Sequence, residues 1–113
     1  MKVYLAGPMR GIPEFNFPAF RDGARQLREA GYEVFSPAEH NQDLGLDTTG
    51  MAGHQHEHEA EFPLRKLLGD GLAWICAHAD AIAVLPGWEN SLGAQAEVAV
   101  ARALGLPVIQ VKP

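Results

Sequence analysis

The sequence predicts an α/β fold, because one pattern occurs twice: an apolar strand runs into a glycine–proline turn and then into a helix. The first copy opens with residues 3–6 (VYLA), halted by Gly7 and Pro8, and the second with residues 80–85 (DAIAVL), halted by Pro86 and Gly87. Each copy ends in another short apolar run, residues 32–35 (YEVF) and 107–111 (PVIQV). Strands that alternate with helices pair in parallel through crossover connections. The expected architecture is a three-layer sandwich of the Rossmann or flavodoxin-like kind. It has a parallel sheet of four or five strands, in one domain over residues 1–113.

Taken in order, residues 3–6 read as a buried strand, and 7–16 as a glycine- and proline-rich loop that carries Arg10. Asn16 is placed to cap the next helix, with Pro18 in its first turn, where a missing N–H costs little. Phe17, Phe20, Ala24, Leu27 and Ala30 recur at three- and four-residue spacing, the apolar stripe of an amphipathic helix that Gly31 ends. After the strand at 32–35, Ser36 and Pro37 read as a break, and 36–69 as a long loop whose variable part is about 37–62. Long loops in compact domains are usually functional or mobile. A helix is expected within 57–77 from Phe62, Leu64, Leu67, Leu68, Leu72 and Ile75, weakened by Gly69 and Gly71. Residues 92–104 are alanine-rich and helical, with Gly105 at their C-terminal end.

Composition narrows the function classes. The hydrophobic fraction of 47% and charged fraction of 20% are globular values. Nine basic and fourteen acidic residues give a net charge of −5, which disfavours a nucleic-acid polymer as partner, since binding one needs excess cations. A single phosphate group is not disfavoured, because one arginine and a few backbone N–H groups suffice. Cys76 is the sole cysteine, so no internal disulfide and no cysteine-based zinc motif is possible. The apolar runs are too short for a membrane span, and MKVYLAGP lacks the apolar core of a signal peptide, so the expected location is cytoplasmic.

In open parallel sheets ligands bind beyond the carboxyl ends of the strands, near a reversal in strand order. That rule selects three loops: residues 7–16, the turn after Phe35, and 86–93. In the first, Gly7 and Gly11 allow backbone to approach a ligand, beside Met9, and Arg10 offers a planar fork for phosphate or carboxylate. An ordinary loop with a solvated arginine would read the same way. Neither GxGxxG nor GK[ST] occurs. In the third, Ser91 is placed to cap a helix whose first N–H groups, at Gly93 and its neighbours, suit an anion. Glu97 lies further along that helix among Ala94, Ala96 and Ala99, which leave room for a ligand. Isolated glutamates are also common simply as helix formers.

The segment YLAGPMRG, followed near the C-terminus by LPGWENSLGA and SLGAQAE, resembles the nucleoside 2-deoxyribosyltransferase superfamily. That grouping includes the 2′-deoxynucleoside 5′-monophosphate N-glycosidases and small phage and bacterial proteins, whose AGPM[RT]G start and NFPAF helix start are the most similar. The resemblance covers the chain except roughly residues 42–62. It implies Glu97 as the nucleophile at C1′ of the deoxyribose, Tyr4 as the hydroxyl that holds it, and Asp70 as proton donor to the base. It also implies Arg10 and Ser91 as the grip on a 5′-phosphate. Serine rather than a carboxylate at 91 points to a phosphorylated substrate, although Pro8 stands where the nucleotide-cleaving enzymes carry a hydroxyl.

The expected function is therefore cleavage or transfer at the N-glycosidic bond of a 2′-deoxynucleoside 5′-monophosphate. The alternative is a nucleotide-binding sensor without catalysis. A carboxylate suits the oxocarbenium-like centre of such a reaction, and a second carboxyl group of raised pKa suits the leaving base. Trp88 and Phe17 are candidates for stacking on the base, Phe17 more readily as core. No cofactor is expected. His54 and His58 would share a helical face and could hold zinc or nickel. No third ligand is identifiable, so no metal is expected; the segment reads as a solvated polar loop or, alternatively, as a mobile lid over the base-binding side. His78 and Cys76 read as helix-face or core residues. The resemblance further implies a homodimer or higher oligomer.

Overall fold

The computed structural model describes residues 1–43 and 64–112. It is an α/β sandwich on a four-stranded, all-parallel sheet, with strands β1 (Lys2–Ala6), β2 (Glu33–Phe35), β3 (Ala81–Val84) and β4 (Val108–Gln110). The helices are α1 (Phe17–Glu29), α2 (Pro37–Asp43), α3 (Leu64–His78) and α4 (Leu92–Ala103). Strand order is β2-β1-β3-β4. Register is tight: Tyr4 pairs with Phe35 on one side and Ile82 on the other, and Ala6 with Val84. The sheet therefore grows first to one side of β1 and then to the other. The crevice rule selects the carboxyl ends of β1 and β3.

Strand periodicity divides the core in two. Val3 and Leu5, with Ala81, Ala83 and Leu85, face α1 and pack with Phe15, Phe17, Phe20, Ala24 and Leu27. Tyr4 and Ala6, with Ile82 and Val84, face the other way, onto Ile75 of α3 and Ala94, Val98 and Ala101 of α4. Successive residues of a strand point to opposite faces, and burial on both faces explains why β1 and β3 read as unbroken apolar runs.

Three local expectations change. Ser36 and Pro37 do not open a long loop, because Pro37 is the first residue of α2, where its fixed φ suits a helix and its missing N–H is not needed. Arg28 anchors α2 to α1 through a two-pronged pair with Glu39 at 2.6 Å, which holds the Glu39 carboxyl below its usual range. Asn16 occupies the cap position of α1 but does not cap it. It is the last of three consecutive left-handed residues, and its Nδ2 donates to the Pro8 carbonyl at 2.9 Å. That bond ties the loop after β1 to the start of α1 while Phe15 is buried in the core. The third change is at the far end of the stretch read as loop: the expected helix is present as α3, begins at Leu64 and runs unbroken through Gly69 and Gly71. The histidine-rich segment that includes His54 and His58 lies outside the described residues.

The two glycines of α3 differ in what surrounds them. A Cβ at Gly69 would meet nothing within 4 Å. Glycine in a helix interior costs about 0.5–1 kcal/mol relative to alanine. Gly69→Ala is therefore expected to stabilise the fold by about that amount, read as a higher urea midpoint with an unchanged slope. A lower midpoint would show that Gly69 has a contact the fold does not reveal.

Candidate active site

Beyond the carboxyl ends of β1 and β3 lies a cavity of about 400 Å³. That volume is within the usual range for small-molecule sites. The loop after β1 supplies Gly7, Pro8, Met9, Arg10 and Gly11, and the loop after β3 supplies Asn90 and Ser91. From the start of α4 come Leu92, Gly93 and Ala94, and Glu97 lies one turn further in. Pro37 of α2 and Leu64, Leu67 and Leu68 of α3 make an apolar wall. Two of the three loops that the crevice rule selects thus build the cavity, and the third contributes Pro37.

The chemistry centres on Glu97, which is 7% exposed, and Tyr4, which is fully buried. The Tyr4 hydroxyl donates a short hydrogen bond to Glu97 Oε2. Burial raises the Glu97 carboxyl from its ordinary 4.5 to about 7, against the opposing pull of the tyrosine bond. Tyr4 is pushed well above its usual range, first by burial and then by the charge and hydrogen bond of Glu97. The phenol therefore stays neutral and keeps its proton to donate. Its ring is pinned: Phe35 stacks on it at 5.4 Å between centroids and 15° between planes, and Trp74 leans on it at 6.2 Å.

Toward the mouth, Ser91 caps α4, its Oγ accepting from the Ala94 N–H at 3.2 Å. The capped helix presents further N–H groups at the cavity, and Arg10, half-buried, adds a fixed positive charge. A cationic side chain, a helix N-terminus and a buried carboxyl group thus share one cavity.

A family model matches residues 1–110, a span that holds every one of these side chains. The chain belongs to the family described as Domain of unknown function (DUF4406). Comparison with curated proteins and with solved structures found no match. In this DUF4406 domain Glu97, Tyr4, Gly7, Met9, Arg10, Gly11, Ser91 and Gly93 come together as one site, Tyr4 reaching it from beneath through Glu97.

Two expected site residues do not join them. Asp70 is not among the residues that line the cavity. Its Oδ2 lies 2.8 Å from His40 Nε2 and 3.0 Å from Lys66 Nζ, and these two hydrogen bonds lower its pKa. A carboxylate held ionised by two donors is poorly suited to give up a proton. Trp88 packs with the α3–α4 side of the core and carries the Arg102 guanidinium over its ring at 5.8 Å, outside the cavity lining. Phe17 is core, at 2% exposure. His78 and Cys76 are exposed on α3, His78 with its ring 5.8 Å from that of Trp74.

The sequence also concealed contributors. Leu67 and Leu68 read as generic helix apolars, and nothing in their spacing says that they wall a cavity. Gly71 lies against the central pair: a Cβ there would overlap the Tyr4 hydroxyl and lie 3.1 Å from Glu97 Oε2. Its only signal was a glycine where a helix prefers alanine. No group of three or more histidine, cysteine or acidic residues suited to a metal occurs among the described residues. Nor is any of their helices long and apolar enough to cross a membrane.

The raised pKa makes Glu97 a stability switch. Between about pH 4.5 and 7 the folded chain holds a proton on Glu97 that the unfolded chain has lost, so stability falls as pH rises through that window and then levels. The loss amounts to about 3 kcal/mol. Glu97→Gln keeps an acceptor for Tyr4 and cannot ionise. Its urea stability is expected to exceed that of the parent at pH 8 and to match it near pH 4.5. Parallel pH profiles for the two proteins would refute the burial argument.

Proposed function

We propose that this domain cleaves the N-glycosidic bond of a 2′-deoxynucleoside 5′-monophosphate through a covalent intermediate on Glu97. The observation that supports the reading best is the buried Glu97 carboxylate, held by the Tyr4 hydroxyl, opening into a cavity that also contains Arg10 and the start of α4. The resemblance to the nucleoside 2-deoxyribosyltransferase superfamily supports the same assignment for these residues.

In this reading the 5′-phosphate sits at the mouth, on Arg10 and the α4 N–H groups around Ser91 and Gly93. The base lies against Leu64, Leu67, Leu68, Met9 and Pro37. Tyr4 occupies Oε2 of Glu97, leaving Oε1 to attack C1′. As the C1′–O bond forms, the C1′–N bond breaks, its electron pair leaves with the base, and the base takes a proton from solvent water. Water then adds at C1′, loses its proton, and frees Glu97, completing a hydrolysis with retention logic like that of two-step glycosidases. A second base in place of water would make the reaction a transfer. The donor of the first proton is assigned away from Asp70, because His40 and Lys66 hold that carboxylate ionised. The reading also carries a cytoplasmic location and assembly as a homodimer or larger oligomer. Among the described residues β2 and β4 are the unpaired edges of the sheet, which gives it reason to associate.

Base release from a panel of 2′-deoxynucleoside 5′-monophosphates, followed by chromatography, tests the proposal. Glu97→Ala is expected to lower the rate by about 10³-fold or more, as loss of a nucleophile does. Arg10→Ala is expected to raise KM for phosphorylated substrates by about 10- to 100-fold, the worth of a charged hydrogen bond. It should leave unphosphorylated nucleosides unaffected. The parent rate should rise with pH toward about 7 as Glu97 ionises. Nucleotide binding without base release would sink the catalytic reading and favour a sensor.

A further inference from the structure

α3 crosses the Tyr4–Glu97 pair at Gly71, whose relative exposure is low and whose neighbours on the helix, Leu67 and Ile75, are buried in the two halves of the core. A Cβ built at Gly71 overlaps the Tyr4 hydroxyl and lies 3.1 Å from both Tyr4 Cζ and Glu97 Oε2. Contacts of that kind are tolerable where a flexible side chain can swing away. Tyr4 cannot: it is fully buried, sits in the middle of β1, and is stacked on Phe35 with Trp74 against it. Glu97 borders the cavity, but swinging it away would itself break the hydrogen bond. An added methyl group must therefore lift α3 from the sheet or separate the hydroxyl from the carboxylate.

We propose that Gly71 is a positioning residue of this site, and that the missing side chain there is what lets the Tyr4 hydroxyl and the Glu97 carboxylate meet beneath the cavity. Gly71 touches no substrate in this arrangement; it acts through the geometry of the pair. The helix accepts a residue that weakens it because any larger one occupies the space in which the hydrogen bond forms. The inference rests on Tyr4 and Glu97 as the working pair of the proposed function.

Four variants test it: Gly71→Ala, Gly69→Ala, Tyr4→Phe and the double variant Tyr4→Phe/Gly71→Ala. The readouts are the melting temperature and the Glu97 carboxyl titration by carbon-13 NMR. Helix preference alone would raise the melting temperature of both alanine variants. The proposal expects Gly69→Ala to raise it with an unchanged titration. It expects Gly71→Ala to lower the melting temperature and to move the Glu97 titration upward, because the tyrosine bond that pulls it down is weakened. Tyr4→Phe removes the atom that the new methyl group overlaps, so adding Gly71→Ala to it should cause little further loss. Should Gly71→Ala fail to fold, the double variant still decides: a folded double variant supports the proposal and an unfolded one overturns it. A Gly71→Ala melting temperature at or above the parent's, with the Glu97 titration unmoved, also overturns it. Neither readout requires turnover. Absence of base release from the parent would therefore remove the proposed function and leave the role of Gly71 to be judged by these measurements.

Discussion

Taking a carboxylate out of water is costly, several kcal/mol for each ion even after relaxation, and the surroundings of Glu97 are organised around that cost. The group has two ways to lower it: accept a hydrogen bond or take up a proton. The structure provides for both. Tyr4 supplies the hydrogen bond, and a pKa near 7 makes the proton available under ordinary conditions. The tyrosine itself must come from the middle of the central strand, because only there is it rigid enough to hold a fixed distance. That requirement places the pair between the sheet and the α3–α4 layer. The layer in turn must be thin at the point of contact, which is why Gly71 on α3 and the small residues Ala94 and Ala101 on α4 stand beside it.

The two faces of the sheet consequently differ in character. The α1 face is filled by three phenylalanines and aliphatic residues, Val3, Leu5, Leu27 and Leu85, with Tyr32 half-buried at its margin. Such a face can be packed for stability alone. The opposite face mixes Tyr4 with small and branched residues, and one edge of it opens into the cavity. Each strand serves both faces through its alternation, so the register that seats Val3 and Leu5 in the stable half also aims Tyr4 at Glu97. A one-residue slip of β1 would exchange the two sets and lose both at once.

Most of the frame could be read in the sequence because it is carried by periodicity and punctuation. The strands at 3–6 and 80–85, the stripe of α1 and the alanine-rich α4 lie within a residue or two of their observed bounds, and the crevice rule chose the loops that build the cavity. The failures have physical causes. Pro37 breaks a strand and starts a helix with the same fixed φ, so Ser36 and Pro37 carry no sign of which follows. Asp70 and Gly71 are adjacent, yet a helix turns by about 100° between them, so one faces His40 and the other the Tyr4–Glu97 pair. Without the packing of α3, the residue that bears a functional group is the natural choice. A glycine whose contribution is empty space has no chemical signature of its own.

A protein of net charge −5 that holds a phosphorylated ligand must overcome its own field locally. On the proposed reading, the state of Glu97 bears on this as much as Arg10 does. While Glu97 is protonated, the cavity contains a fixed positive guanidinium and a positive helix end but, among the described residues, no buried negative charge. An anionic ligand then enters without facing a carboxylate at close range. Once it is bound, its phosphate raises the Glu97 pKa further, because like charges in one low-dielectric cavity oppose each other's ionisation. Binding and activation of the nucleophile therefore pull in opposite directions. The Tyr4 bond acts against that rise and favours the ionised form, so the hydroxyl does more than hold the carboxylate in place. Its distance from Glu97 sets how far the nucleophile remains available with a charged ligand in the cavity, and that distance is governed by the space left at Gly71.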